Sequence, residues 1–162
     1  MAKITLQGFD EYTKQLQTLD KQADGMIKRA VYEGASVLLD AVEKATQALP
    51  TQENVYVYNG QQIQTITPEQ KKGLLEGLGV AKMRNDNGFV NTKIGFDGYN
   101  SVKTKKYPKG QPNSLIARAV ESGSSIRPKT RFVTNAVKPV ADKAEKAMAE
   151  SIDRDLKNAT GV

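Results

Sequence analysis

The side chains best suited to acid–base chemistry in this sequence are two pairs of carboxylates. Asp40 and Glu43 lie three residues apart, and Asp153 and Asp155 lie two apart. A glycosidase needs two carboxyl groups, one as acid and the other as base or nucleophile. Both pairs fall on the predicted solvent side of a charged helix and have basic neighbours. We therefore interpret them as surface charges, and a carboxylate-dependent hydrolase is the weakest functional hypothesis.

Other catalytic and ligand-binding patterns are missing from the sequence. The 162 residues include no cysteine and no histidine, which excludes disulfides, Cys/His zinc sites, thiol nucleophiles and imidazole triads. There is no phosphate-binding G-x-x-x-x-G-K-[ST] loop, and Gly77-Leu78-Gly79 lacks the third glycine of a dinucleotide fingerprint. The run 85–88, Asn-Asp-Asn-Gly, lacks the spaced carboxylates of a calcium loop and predicts a turn. The sequence thus predicts a protein that is not an enzyme and has no cofactor or metal.

The basic charge of the chain is concentrated in one segment. The net charge is +6, and residues 101–135 hold eight basic residues against one acidic residue, Glu121, while the remaining segments are nearly balanced. Such a segment attracts nucleic acid, acidic protein or anionic lipid, although a solvated loop would have the same composition. Tyr99 and Tyr107 could stack on bases there, or simply pack within the loop. The candidate partner- or DNA-binding residues are Lys103, Lys105, Lys106, Lys109, Arg118, Arg127, Lys129 and Arg131.

Neither an export signal nor a membrane span is predicted. The first eight residues have one lysine but no apolar run of signal-peptide length. The longest apolar run, around residues 37–42, is interrupted by Asp40 and is far too short to cross a bilayer. We expect synthesis in a reducing cytoplasm and no membrane partner.

Apolar spacing predicts several helices. An amphipathic stripe indicates a first helix over residues 8–20, and a second stripe indicates a long helix over residues 27–49 that stops at Pro50. Thr67, Pro68 and Gln70 have the spacing of a capping box and predict a short helix that ends at the glycines 77 and 79. Ser114 is the expected cap of a helix over 115–121, closed by Ser122 and Gly123. A closing helix covers 136–156, with Pro139 near its first turn or kinking it.

Turn signals separate these helices with two hairpins and one loop. Asn59-Gly60 predicts an exposed hairpin over 55–66, and residues 80–84 and 89–96 flank a second turn, with Val90, Thr92, Ile94 and Phe96 on one face. Residues 97–113 form a long basic loop. The sequence therefore predicts an α+β fold in which long N-terminal and C-terminal helices pack on a small antiparallel sheet of hairpins. We expect one domain over 1–158 and a frayed tail over 159–162.

Several of these segments together resemble a family. They are the run 94–100, the lysine-rich run 103–108, the run 110–113, and the Ala-x-x-x-Glu-x-Gly-Ser element from Ala117 to Ser124. Gly8-Phe9-Asp10-Glu11 before a long helix, and Pro68 followed by Gly73-Leu74, extend the likeness over most of the chain. The sequence resembles the gp-ten-like tail-component family of long-tailed bacteriophages. Many relatives have proline where Arg131 stands, and residues 51–66 look like an insertion.

This resemblance implies a non-enzymatic virion protein that joins the head connector to the tail, or completes the tail, as one subunit of a ring. It also implies location in the neck or tail of the particle, synthesis in the bacterial cytoplasm, and a hexamer in keeping with tail symmetry. The implied partners are the head connector or adaptor and the tail terminator or tail-tube proteins, with DNA in the lumen. The alternative from the residues alone is a sequence-independent DNA-binding accessory protein that uses the basic segment 101–135.

Overall fold

The computed structural model describes residues 9–53 and 65–160. The fold is α+β, as predicted, with a long N-terminal helix, a C-terminal helix and a small set of antiparallel strands between them. The helices are α1 (Phe9–Ala48), α2 (Pro68–Gly77), α3 (Asn113–Ser122), α4 (Phe132–Val137) and α5 (Ala141–Thr160). The strands are β1 (Leu78–Val80), β2 (Arg84–Asp86), β3 (Phe89–Asn91) and β4 (Ile94–Phe96).

One continuous helix of 40 residues, α1, replaces the two helices predicted over 8–20 and 27–49. The predicted break was wrong because the apolar stripe continues without interruption through Leu19, Ala23, Met26 and Ala30. Gly25 costs about 1 kcal/mol relative to alanine in a helix interior, which the flanking helix-forming residues can offset. The helix ends two residues before Pro50, as expected.

The C-terminal helix α5 packs antiparallel along α1. Close approach occurs at Gly34, where an added Cβ would lie 2.6 Å from Cγ of Met148. Two ion pairs cross between the helices, Arg29 to Asp155 at 2.7 Å and Arg154 to Glu33 at 3.5 Å. The two helices together form the longest packed unit in the described part of the chain.

The closing helix predicted over 136–156 begins earlier and ends later. The chain becomes helical at Phe132, passes through a 3₁₀ turn over Lys138–Val140 that contains Pro139, and continues as α5 to Thr160. Residues 159 and 160, the described part of the predicted tail, are helical, and the Thr160 hydroxyl donates to the Leu156 carbonyl at 2.8 Å. Residues 161 and 162 lie outside the described residues.

The second predicted hairpin is present, with an interruption. Strands β2 and β3 meet at Asn87 and Gly88, which both have positive φ, as a type I′ turn requires. Strands β1 and β4 form a second two-stranded antiparallel sheet next to the first, and between the two sheets three residues over 81–83 oppose two over 92–93, so the predicted strand 80–84 is split. This arrangement is a bulge, which increases the local twist of the hairpin.

A capping box begins α2, and a glycine ends α3. The capping box at α2 is confirmed: the Gln70 N–H donates to the Thr67 hydroxyl at 3.2 Å, and the Thr67 N–H donates to the Gln70 side chain at 3.1 Å. Helix α3 begins one residue before Ser114, and Pro112 stands at the N-cap, so the predicted cap was wrong. Its closure at Gly123 is confirmed by a φ of 78° at that glycine.

A compact apolar core lies where α1 ends, between α2, α3 and α4. Its fully buried side chains include Ile66 and Leu74. Phe132 at the start of α4 packs against Phe96 of β4, with 6.1 Å between ring centroids. The hairpin predicted over 55–66 falls mostly on residues 54–64, outside the described residues, although Ile66 itself forms a bridge with Thr51. The members of this core are Leu49, Ile66, Leu74, Ile116, Ala117, Val120 and Phe132.

Candidate basic binding surface

The predicted basic loop spans residues 97–112 between β4 and α3, and its base is tied to α2. The Asp97 N–H donates to the Gly77 carbonyl at 2.7 Å, and the Asn113 N–H donates to the Gly98 carbonyl at 3.0 Å. The Asn113 side chain donates to the Asp97 carbonyl at 2.7 Å. Both ends of the loop are therefore held to each other and to the last turn of α2.

Two glycines of α2 permit this close approach. An added Cβ on Gly77 would lie 2.1 Å from the Asp97 carbonyl oxygen, and one on Gly73 would lie 2.4 Å from Cβ of Asn100. Side chains larger than hydrogen at these two positions would push the loop away from α2. The spacing of four residues puts both glycines on one face of the helix.

A second layer of hydrogen bonds fixes the middle of the loop. Asn100 is buried, its N–H donates to the Gln111 carbonyl at 2.9 Å, and its side-chain oxygen accepts from the Val102 N–H at 3.0 Å. The buried Gln70 side chain, already part of the α2 capping box, donates to the Gln111 side chain at 2.7 Å. The loop thus has a defined shape that depends on asparagine and glutamine contacts.

The loop presents its four lysines to solvent. Lys103, Lys105, Lys106 and Lys109 are all exposed, and among the described residues none of them forms an ion pair. Thr104 and Tyr107 exchange backbone hydrogen bonds at 3.1 Å, which closes the turn that carries Lys105 and Lys106. Unpaired lysines on a closed turn generate a local positive field that an anionic partner can meet.

Two tyrosines accompany the lysines. The Lys106 ammonium lies 5.6 Å from the centre of the Tyr107 ring, within the range of a cation–π contact. Tyr99 is 69% exposed at the base of the loop, so its ring is available to a partner. Tyr107 is half-buried, and its backbone hydrogen bonds with Thr104 favour the packing role that the sequence left open.

The remaining basic candidates lie elsewhere. Arg118 is exposed on α3, and Lys129 and Arg131 are exposed in the connection between α3 and α4. That connection is tied to the end of α3, because the Thr130 and Arg131 N–H groups donate to the Val120 and Glu121 carbonyls. The loop and the connection therefore meet α3 at opposite ends, about 13 Å apart along the helix axis. The continuous basic segment of the sequence becomes two separate groups of cations.

Arg127 is not available as a surface cation. It is only 6% exposed, and its guanidinium donates to the Thr65 carbonyl. Burial lowers the pKa of this arginine, which nevertheless remains charged at neutral pH. We therefore assign Arg127 to the fold and leave seven of the eight candidates on the surface.

The two carboxylate pairs, Asp40 with Glu43 and Asp153 with Asp155, occupy ordinary surface positions. Asp40 and Glu43 are exposed on α1, and Asp155 is taken up by its ion pair with Arg29. Over residues 9–53 and 65–160 no group of three or more acidic side chains is arranged to hold a metal ion. No helix in that part of the chain is long and apolar enough to cross a membrane.

Sequence reasoning did not identify the residues that position the loop. Asn100, Asn113, Gly73 and Gly77 act through contacts between segments that are far apart in the chain. The sequence did contain a signal: a long loop with an asparagine near each end follows a predicted helix that has two glycines four residues apart.

Comparison with known proteins finds no matching family model, no matching curated protein and no matching solved structure.

Proposed function

We propose that this chain is a structural assembly protein of a bacteriophage neck, where it joins the head connector to the tail or completes the tail as one subunit of a ring. The observation that carries the proposal is the basic loop 97–112, whose shape is fixed from α2 and whose four lysines have no ion-pair partner among the described residues. An ordered loop with a fixed charge pattern suits docking on a preformed acidic surface, because little conformational entropy is lost on binding.

The α+β architecture supports the same role. A ring subunit needs rigid elements for contacts with its neighbours and projecting segments for contacts with adjacent rings. Helices α1 and α5 supply the first, and the loop and the β2–β3 hairpin supply the second, with Phe89 78% exposed at the hairpin tip. The tail symmetry of long-tailed phages favours a hexamer in this proposal.

Electron microscopy of particles made after disruption of the gene tests this function. The proposal expects filled heads and finished tails that lie apart, and restoration of joined particles when the intact gene is supplied in trans. Joined, infectious particles in normal yield without the gene would contradict it.

A sequence-independent DNA-binding role is the second candidate, favoured by the exposed Tyr99 at the base of the loop that carries the lysines. Its test is the affinity for a short duplex and a single strand at a series of salt concentrations. Four phosphate contacts would give a slope of log affinity against log salt of about −3.6 for the duplex. Absence of binding at low salt would exclude this role.

A further inference from the structure

The N-terminal end of α1 extends past its partner helix. Arg29 of α1 pairs with Asp155 of α5, and α5 continues for only five more residues, to Thr160. In an antiparallel pair the end of α5 therefore lies near residue 24 of α1. Residues 9–23, the free end of α1, continue for about 21 Å beyond it.

The free end carries the same apolar stripe that packs against α5 further along the helix. Met26 and Ala30 are buried, whereas Leu16 on the same stripe is 48% exposed and Leu19 and Ala23 are partly exposed. The spacing of three and four residues is unchanged between the two stretches. A helix face of this kind normally packs against another apolar surface.

An apolar groove lies along the C-terminal half of α1. It has a volume of 810 Å³ and is bounded by α1, the inner face of the hairpin, and α3 to α5. Its α1 wall runs from Val31 to Val42, about 17 Å, which accommodates roughly three turns of a docked helix. Apolar side chains on its walls include Val31, Leu38, Val90, Ile94, Val137 and Ala141.

The free end cannot reach this groove within one molecule. Leu16 and Leu38 belong to the same unbroken helix, and 22 residues separate them by about 33 Å along its axis. The stripe and the groove can therefore meet only between two copies of the chain.

Charge favours this contact over a pairing of two free ends. Residues 9–24 carry four acidic and two basic side chains, whereas the rest of the chain holds the entire basic excess. Two free ends side by side would bring together like net charges, and a free end on the body of another copy brings together opposite ones. The charged side chains that line the groove are Arg118, Glu121 and Glu145. Glu121 is engaged by the Val133 and Thr134 N–H groups, and exposed Arg118 and Glu145 can meet an acidic and a basic residue of the incoming helix, respectively.

We propose that the free end of α1 of one copy docks in the apolar groove of the next, with Leu16 and Leu19 as anchors. The free end of α1 and the groove are different surfaces, so each copy contacts one neighbour through its free end and the other neighbour through its groove. Such a head-to-tail contact closes into a ring when the rotation between neighbouring copies allows it. The location of this ring in the neck rests on the proposed function. The inference adds to that function how the subunits of the ring join.

Cross-linking between marked copies tests the contact directly, because the natural chain has no cysteine. A Leu16→Cys variant bearing a size tag is mixed with an untagged Ala141→Cys variant and treated with a short bis-maleimide. The inference expects the mixed-size product, and much less of it when Lys72→Cys, exposed on α2, replaces Ala141→Cys. Products joined only through two Leu16→Cys sites, or no product at any concentration, would overturn it.

Solution mass by light scattering supplies a second measurement. Leu16→Glu should weaken self-association at least about tenfold, while Gln17→Glu, which adds the same charge one position away, should change it little. Equal behaviour of the two variants, or a natural chain that stays monomeric at all concentrations, would contradict the contact. Gene disruption tests the neck role separately, so failure of either proposal can be recognised without the other.

Discussion

The carboxylate of Glu121, in the last turn of α3, accepts a hydrogen bond from the backbone N–H of Val133 at 2.8 Å. It also accepts from the N–H of Thr134 at 3.2 Å and from the Thr134 hydroxyl. The residue at the N-cap of α4, Arg131, makes no side-chain capping bond, so α3 supplies the cap for the next helix. The one acidic residue in the basic segment is therefore committed to a structural role.

Removal of this cap should destabilise the protein. Glu121→Ala leaves the first N–H groups of α4 without their acceptor and removes a negative charge from a helix N-terminus. We expect a loss of about 1–3 kcal/mol in the free energy of unfolding. Glu121→Gln, which retains one acceptor oxygen, should lose less. Urea unfolding checks this, with Glu150→Ala, exposed on α5, as the control, and equal stability of Glu121→Ala and the control would contradict the capping role.

Arg131 has a left-handed backbone, with φ at 54° and ψ at 35°. Glycine adopts this region without the penalty of about 1–2 kcal/mol that other residues pay, so Arg131→Gly should be neutral or stabilising. Proline cannot reach a positive φ and would lose the hydrogen bond from the residue 131 N–H to the Glu121 carbonyl. Arg131→Pro should therefore lower the melting temperature by several degrees, and a melting temperature equal to that of the unmodified chain would contradict the backbone geometry.

A matched pair of variants distinguishes the buried cation Arg127 from the exposed cation Lys129. Arg127→Met removes the donor to the partly buried Thr65 carbonyl while keeping a long apolar stem, and should cost about 1–3 kcal/mol of stability. Lys129→Met removes the same charge from an exposed position and should stay within about 0.5 kcal/mol. Thermal unfolding of both variants provides the measurement. A stability loss in Lys129→Met alone would reverse the assignment.

The features that could be predicted from the sequence are those determined by residues close together in the chain. The Thr67–Gln70 capping box and the Asn87-Gly88 turn depend on neighbours within four residues, and both have the expected geometry. The division of the N-terminal region into two helices, over 8–20 and 27–49, was wrong because the apolar stripe between them is continuous in α1.

The arrangement of the basic candidates depends on contacts that sequence spacing does not reveal. Arg127 counts as one of eight cations in the sequence, yet its burial under Thr65 is determined by chain segments 62 residues apart. The attachment of the loop by Asn113 and Gly77 is equally non-local. Charge counting therefore located the basic segment but could not separate the cations that support the fold from those that face solvent.

The loop anchor can be disrupted without changing any lysine. Gly77→Ala places a methyl group about 2.1 Å from the Asp97 carbonyl oxygen, so the loop or α2 must shift. We expect a loss of about 1–3 kcal/mol of stability and of particle joining. Gly79→Ala is the control, because nothing lies within 4 Å of the added methyl group. Normal joining by Gly77→Ala would show that the fixed shape of the loop does not matter.

Charge reversal at the tip of the loop tests the binding surface itself. Lys105 and Lys106 are exposed on the turn closed by Thr104 and Tyr107, so Lys105→Glu with Lys106→Glu should leave the unfolding free energy within about 0.5 kcal/mol. The double variant should fail to restore joined particles in the disrupted strain. The control reverses Lys72 and Lys82, two exposed lysines outside the loop, and so changes the net charge by the same amount.

The comparison of these two double variants distinguishes a local contact from a general effect of charge. If the loop docks on an acidic face or meets DNA, only the Lys105 and Lys106 variant loses joining, because the partner lies opposite those two side chains. Equal particle yields from both variants, counted by electron microscopy, would contradict a role of the loop in the proposed assembly. Loss of DNA affinity together with loss of joining would indicate phosphate as the partner, whereas loss of joining alone would indicate an acidic protein surface.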